Sequence, residues 1–363
     1  MAGGEWLLAA SLVTCAAFAI WGEALFARLA QPGWFALIFL WLFGVVLASA
    51  LAVVRHADHV AEILGEPYGT LVLTLSVTAI EVMSISAVML HGANNPTLVR
   101  DTLFSIVMIL LGGVVGAALL LGGWRHSEQH YNLQGANAYL GVIIPLAVLT
   151  LTLANFTTTT PGPTLSFAQQ AFLLVIACGL YLAFLAVQTG RHRGYFTSDG
   201  ADETPPPALP RAASSLYWHS GLLVAYILPV VFLAEQFAHP VDYLIETLQL
   251  PAALGGVIIA VLVATPEAIG AIRSAMANQM QRSINISLGS VLSTTGMTVP
   301  AMLLVSYLTR HEIYFGLPGA SDVLLLLTLA VSVVTFASGR TNVLQGAVHV
   351  VLFAAFVMLL IQQ

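Results

Sequence analysis

Long apolar runs follow one another from one end of this chain to the other, separated by short polar or Gly/Pro-marked breaks. Each run approaches the ~20 residues that a helix needs to cross the hydrocarbon of a bilayer. Read between the breaks, they predict spans near 6–23, 33–54, 68–91, 102–123, 138–156, 166–188, 216–237, 252–275, 284–308, 321–337 and 342–361. The apolar residues run continuously and do not alternate with polar ones, which predicts helices and argues against barrel strands. The expected fold is all-α: a polytopic membrane protein of about eleven transmembrane helices. The first run is too long, and lacks the basic flank, for a cleaved signal peptide.

Composition agrees with the pattern. Of 363 residues, 58% are hydrophobic and 8% charged, more apolar surface than an aqueous domain of this size buries. The net charge of −6 comes without a basic patch, which excludes nucleic acid as a partner and leaves the lipid bilayer and small ions. Arginine sets the orientation, since the chain has no lysine. The even-numbered connections and their flanks carry Arg55, Arg125, Arg191, Arg193, Arg211, Arg273, Arg282 and Arg340, against Arg28, Arg100 and Arg310 on the odd ones. The positive-inside tendency then puts the even connections and the N-terminus in the cytoplasm and the C-terminus outside.

One connection is unlike the others. Residues 189–215 are polar and proline-rich, which predicts a solvated cytoplasmic linker; Asp199, Asp202 and Glu203 within it lack the rigid spacing of a calcium loop. The sequence on either side repeats. Gly69-Thr70-Leu71 aligns with Gly255-Gly256-Val257 at an offset of 186, which brings Glu81 onto Glu267. At an offset of 184, Val107, Gly112, Val115 and Ala117 fall on Val291, Gly296, Val299 and Ala301. An odd number of crossings separates the copies, so the repeats run in opposite directions, as in secondary transporters whose sites lie near the midplane. The expected organisation is an extra N-terminal helix in 1–30, a first repeat half in 31–188, the linker 189–215 and a second half in 216–363.

The repeats coincide where the chemistry is least expected. Glu81 and Glu267 stand inside otherwise apolar helices, and a carboxylate at bilayer depth is costly enough to mark an ion or proton pathway. Two such carboxylates in a poorly solvated cavity disfavour the doubly ionised state, and a hard cation coordinated by oxygen relieves the same penalty. Protons and cation therefore compete for the same atoms, the minimum machinery of an antiporter. Pro266 removes a backbone donor beside Glu267 and frees a carbonyl about one turn earlier. Thr74, Ser76, Thr78, Ser84 and Ser86 decorate the first acidic helix, and Ser287, Ser290, Ser293, Thr294 and Thr295 the ninth span. Taken singly, such hydroxyls are interhelical hydrogen-bonding groups. Glycines 112, 113, 116, 255, 256, 289 and 296 permit close helix approach.

The stretches Arg55-His56-Ala57-Asp58, Gly65-Glu66-Pro67-Tyr68-Gly69-Thr70-Leu71, Pro96-Thr97-Leu98-Val99-Arg100-Asp101-Thr102-Leu103, Pro266-Glu267-Ala268, Gln281-Arg282-Ser283-Ile284-Asn285, Gly289-Ser290-Val291-Leu292, Thr298-Val299-Pro300 and Gly339-Arg340-Thr341-Asn342-Val343-Leu344 resemble those of ChaA-type bacterial cation/proton antiporters, within the calcium:cation antiporter superfamily. The resemblance covers roughly residue 50 to the C-terminus. It implies exchange of cytoplasmic calcium, with sodium or potassium as further substrates, for external protons across a bacterial inner membrane, without a cofactor. It also implies that Glu81 and Glu267 are the paired acidic positions, with Asp101, Ser105, Asn285 and Ser290 as additional site residues. The glycine–asparagine–alanine approach of vacuolar exchangers is absent from both halves.

Other groups read as structural. His349 lies inside the last span, where a hydrogen bond between helices is the commoner role than a proton relay. Cys15 and Cys178 fall inside spans as packing residues, and His56, His59, His126 and His130 lack the convergent spacing of a zinc site. No nucleophile–base pair or His-Glu-x-x-His motif points to an enzyme. The competing reading is a passive cation channel with the two glutamates as selectivity residues. Nothing in the sequence specifies an oligomeric state.

Overall fold

The computed structural model describes residues 5–65, 68–91, 95–197 and 212–362. Asp199, Asp202, Glu203 and Arg211 of the linker, and Glu66 and Pro67 before the third span, lie outside the described residues. The described chain is helical: α1 Trp6–Phe26, α2 Pro32–Leu64, α3 Tyr68–Met89, α4 Leu98–Val107, α5 Val115–His126, α6 Leu133–Leu151, α7 Phe167–Thr189, α8 Ala212–Asp242, α9 Ala253–Met276, α10 Met280–Ser293, α11 Val299–Thr309, α12 Gly319–Thr335 and α13 Val343–Gln362. Of three π-helical segments among the described residues, Met108–Val114 and Thr294–Thr298 join α4 to α5 and α10 to α11, making two continuous spans, Leu98–His126 and Met280–Thr309, and Tyr243–Thr247 follows the end of α8. Ten helices among the described residues are long and apolar enough to cross a membrane, and α12, at 17 residues, is a shorter apolar helix. Every expected span has its helix.

Local chemistry sets the ends. Pro32 opens α2, where its missing N–H costs nothing. Ser166 caps α7 in a reciprocal box with Gln169, and the Asn132 side chain accepts from the amides of Gln134 and Gly135 to start α6. Gly65, at φ 64°, ends α2 with a backbone conformation that side chains disfavour. Two boundaries differ from expectation. α2 continues ten residues past the apolar run because Arg55, His59 and Glu62 sit on its exposed side while His56, Ala57 and Val60 stay buried. α8 begins at Ala212, inside the segment expected as linker.

The helices group into two compact units, and each unit takes residues from both sides of the linker. Met1–Asn95 with Thr204–Pro266 form the first; Pro96–Glu203 with Glu267–Gln363 form the second. In the first unit α2 packs along α8, and both rest on α3 and α1. The stripe Ile38, Leu42, Val46, Val53 and Val60 of α2 and the stripe Tyr226, Val230, Leu233, Phe237 and Val241 of α8 are buried at helical spacing.

In the second unit the π-interrupted spans are the innermost: 78% of the Leu98–His126 window and 67% of Met280–Thr309 is buried, against 22% for α13. α13 packs along α5 through glycine. A Cβ on Gly346 would stand 2.6 Å from the Leu120 amide nitrogen, so the two backbones touch there. The start of the linker is also ordered: Phe196 is buried against Tyr139 and Phe184. Gln129 ties three connections together, donating from its side chain to the Ala275 carbonyl (2.9 Å) and Asn278 Oδ1 (3.0 Å) and from its backbone to Thr341 Oγ1 (3.1 Å). Cys15 and Cys178 are free.

Candidate ion-binding residues

The first acidic helix places polar atoms on one face. Thr78, Glu81 and Ser84 are three residues apart, which stacks them along α3, and they are 6%, 1% and 4% exposed. Ser76 returns its hydroxyl to the Val72 carbonyl at 2.7 Å, the usual way an apolar helix absorbs a serine. Thr78 Oγ1 and Ser84 Oγ are buried with no hydrogen-bond partner among the described residues. Ser84 lines a cavity of about 10 Å³ with Val46, Val88, Ala234 and Ile259, room for one water.

Glu267 is the sharper case. Both of its carboxylate oxygens are buried, and neither has a hydrogen-bond partner among the described residues. α9 runs straight through Pro266, whose ring nitrogen cannot donate to the carbonyl four residues back, that of buried Leu262. Thr265 returns its hydroxyl to the Val261 carbonyl at 2.5 Å. Leaving a buried carboxylate unsatisfied costs about 3–5 kcal/mol, so these oxygens call for a proton, a cation or water as partner.

The residues proposed to complete the site behave unequally. Asp101, near the start of α4, is buried but taken: Arg100 donates from Nε to Oδ1 at 2.8 Å, and Thr97 Oγ1 donates to Oδ2 at 2.9 Å. Arg100 also donates to the Gly316 carbonyl at 3.0 Å, pinning the extended 310–318 connection onto the helix start. Asn285, near the start of α10, does the equivalent work: it accepts from Gln281 Nε2 at 2.9 Å and donates to the Phe196 carbonyl at 2.7 Å, pinning the 190–197 connection. Ser105 donates to the Asp101 carbonyl at 2.6 Å. Ser290 is half-buried on α10. Asp101 and Asn285 are therefore matched anchors for passing connections.

Two features escape the sequence. The π segments are one: at the offset of 184, Gly112 and Gly296 both lie inside them, Val115 and Val299 are both the first residue of the helix beyond, and the segments end together at Val114 and Thr298. A π turn widens the helix and releases carbonyls from their usual partners, a distortion concentrated at functional sites. The other is Thr298, fully buried with no partner for Oγ1 among the described residues. It shares this state with Ser287, and the spacing of Ser287, Thr294 and Thr298 by seven and four residues is the signal that groups them on one helical face. Ser287 also lines a second cavity of about 10 Å³ with Ser283, Met280 and Phe336.

His349 takes the structural role. Its Nδ1 lies 2.7 Å from the Leu111 carbonyl, inside the first π segment, and its Nε2 lies 2.9 Å from Thr335 Oγ1. A carbonyl only accepts, so Nδ1 carries the hydrogen, and the neutral ring accepts from the threonine. Among the described residues no three His, Cys, Asp or Glu side chains converge on a metal position.

A model of the sodium/calcium exchanger protein family matches residues 34–190 and 218–362. The chain belongs to that family. Among relatives of this exchanger-family protein, the sodium-potassium/proton antiporter ChaA of Escherichia coli (strain K12) is 40% identical over 317 residues, 86% of each chain. The Ca(2+)/H(+) antiporter ChaA of Bacillus subtilis (strain 168) is 23% identical over 323 residues, 87% of this chain and 88% of its own. The solved structure of native YfkE superimposes with a TM-score of 0.74 at 17% identity, over 98% of this chain and 100% of that one, so the exchanger-family protein shares its multi-pass helical fold.

Proposed function

We propose that this exchanger-family protein is a secondary antiporter that exchanges cytoplasmic calcium, and also sodium or potassium, for external protons by alternating access. Glu81 and Glu267 are its shared cation and proton ligands. The observation that carries this reading is their equivalence. Each is a carboxylate at the same position of a repeated pair of helices, on an apolar helix that precedes a π-interrupted one. Kinship supports coupled exchange over a passive channel, because relatives on both sides of the ion question are named as proton antiporters. The neutral ligands we assign are Thr78 on α3, Ser290 on α10, and Thr298 at the end of the second π segment. Asp101, Ser105 and Asn285 support the site from the helix starts.

The inverted order of the repeats, the arginine bias and the bacterial relatives support a bacterial inner-membrane protein with its N-terminus in the cytoplasm and its C-terminus in the periplasm. Two carboxylates neutralise one divalent cation, whereas a monovalent ion leaves one charge to be carried by a proton. Calcium should then bind more tightly than sodium or potassium, and magnesium should bind poorly because it sheds water reluctantly. The relative at 40% identity is named for sodium and potassium, which makes the ion the sharpest question.

Exchange of the two glutamates for glutamine tests the assignment. Glu81→Gln and Glu267→Gln keep the shape and remove the titratable charge, so proton-coupled calcium flux should vanish from properly inserted protein. Flux near the wild-type rate in either variant would remove that glutamate from the site.

A further inference from the structure

The first compact unit holds a second set of titratable groups that the exchange site does not use. On α2, the buried His56 presents Nδ1 to Nδ1 of His219 on α8 at 2.9 Å. Arg55 Nη2 lies 3.3 Å from His56 Nε2. A guanidinium only donates, so His56 Nε2 is the acceptor, His56 Nδ1 carries the hydrogen, and His219 Nδ1 must be bare. The pair therefore holds one shared hydrogen. A second proton is disfavoured: on His219 Nδ1 it meets another N–H head-on, and on His56 Nε2 it faces the guanidinium at 3.3 Å, with the Glu5 carboxylate, 3.6 Å from the same nitrogen, opposing that repulsion in part. The other groups around the pair are Glu5, whose Oε1 is 3.6 Å from both Arg55 and His56, Tyr226, whose hydroxyl donates to Glu5 Oε2 at 2.8 Å, and His59, whose ring centre is 4.7 Å from that of His219. Glu5 and Arg55 are partly exposed, so solution protons reach the cluster.

The same helix repeats the arrangement at its other end. His239 Nδ1 lies 3.1 Å from Nε2 of His91, just beyond α3, with Phe26 stacked on the His239 ring at 4.1 Å. The charged groups here are Asp242, 3.8 Å from His91 Nε2, and Glu246 in the next turn. His219 and His239 are twenty residues apart on α8, about 30 Å along a helix and about the thickness of the hydrocarbon. Each face of the membrane thus has its own pair.

We propose that the histidine pairs His56–His219 and His91–His239 are proton-operated latches that pin the two ends of α8 to α2 and to the end of α3. Each is closed while its pair holds one shared hydrogen and opened by a second proton taken from the solution on its own side. An ordinary histidine changes charge between about pH 5 and 8, and a pair that already shares a hydrogen takes its second proton only at the acid end of that range or below it. Acid on one side releases one end of α8 and slows exchange, independently of the protons being transported.

Two measurements on the full chain test this. Nitrogen-15 spectra of the histidine rings in lipid bilayers need no transport. At about pH 8 they should show His56 protonated on Nδ1 and His219 bare on Nδ1, and on stepwise acidification each pair should take up its second proton in a single step. Pairs that take up no second proton before the protein unfolds, or His56 and His219 in other tautomers at about pH 8, would overturn the proposal. The second measurement, which rests on the antiporter reading, is exchange at saturating cation, where competition at the transport site is relieved, with pH lowered on one side at a time. His219→Asn and His239→Asn each keep an acceptor for the partner ring but cannot hold the proton. Wild-type exchange should fall by about tenfold across the titration, and each variant should lose the fall on one side only. A wild-type profile in both variants would overturn it. If the Asn forms do not insert, His219→Gln and His239→Gln serve in the same comparison.

Discussion

The two π-interrupted spans share a backbone and differ in chemistry. In Leu98–His126 the wide turn is Met108-Ile-Leu-Leu-Gly-Gly-Val114, apolar throughout, and the Leu111 carbonyl inside it is occupied by His349. In Met280–Thr309 the equivalent turn is Thr294-Thr-Gly-Met-Thr298, rich in hydroxyls, with Thr298 Oγ1 buried and without a hydrogen-bond partner among the described residues. The first copy spends its distortion on packing: Gly116, two residues past it, sits so close to α13 that an added Cβ would lie 2.8 Å from Val350 Cγ2 and 2.9 Å from its amide nitrogen. The second copy keeps its distortion for polar atoms. The same backbone geometry occurs twice with different side chains, so the neutral ligands around a transported cation should come unequally from the two spans.

The largest way to break this comparison is to overfill the packed copy. Gly116→Val should destabilise the protein by about 1–3 kcal/mol, and more if the α5 and α13 backbones cannot part, read as a lower melting temperature in detergent. The same change at Gly270, whose added Cβ meets only Ile286 Cδ1 at 3.4 Å, should be milder. His349→Ala comes next. It strands the Leu111 carbonyl and should cost about 1–3 kcal/mol of stability while leaving the cation dependence of exchange in place. A loss of proton coupling in a stable His349 variant would make that ring a relay instead. Thr298→Val tests the polar copy. It should leave stability nearly unchanged and raise the apparent KM for calcium about fivefold, the loss of about 1 kcal/mol of ligand, whereas Leu111→Val in the apolar copy should leave KM alone. The smallest effect is graded. If protons and cation share the carboxylates, lowering pH should raise the cation KM progressively, and excess calcium should suppress sodium/proton exchange.

Much of this was legible beforehand because membrane burial writes itself into runs of apolar residues. The helix positions and the equivalence of Glu81 and Glu267 follow from run length and from two misplaced charges. The grouping of helices did not follow, because α8 joins α2 and α3 through side-chain stripes that have no signature of partner choice. The roles of Asp101 and Asn285 were hidden for a related reason. A buried polar residue near a helix start reads alike whether it faces an ion or anchors a passing connection, and only Arg100, Thr97, Gln281 and Phe196 decide it. The π turns were invisible because glycine and threonine suit an ordinary apolar helix as well. The linker composition concealed Phe196, one aromatic residue whose burial orders the segment before it.

Calcium flux in sealed proteoliposomes under imposed proton gradients of either sign tests the central claim most directly. An antiporter that uses Glu81 and Glu267 for both ions predicts that reversing the proton gradient reverses net calcium movement, that calcium is driven uphill, and that both effects disappear together in Glu267→Gln. Calcium that moves only down its own gradient, at a rate indifferent to the proton gradient, would contradict the account and identify a channel.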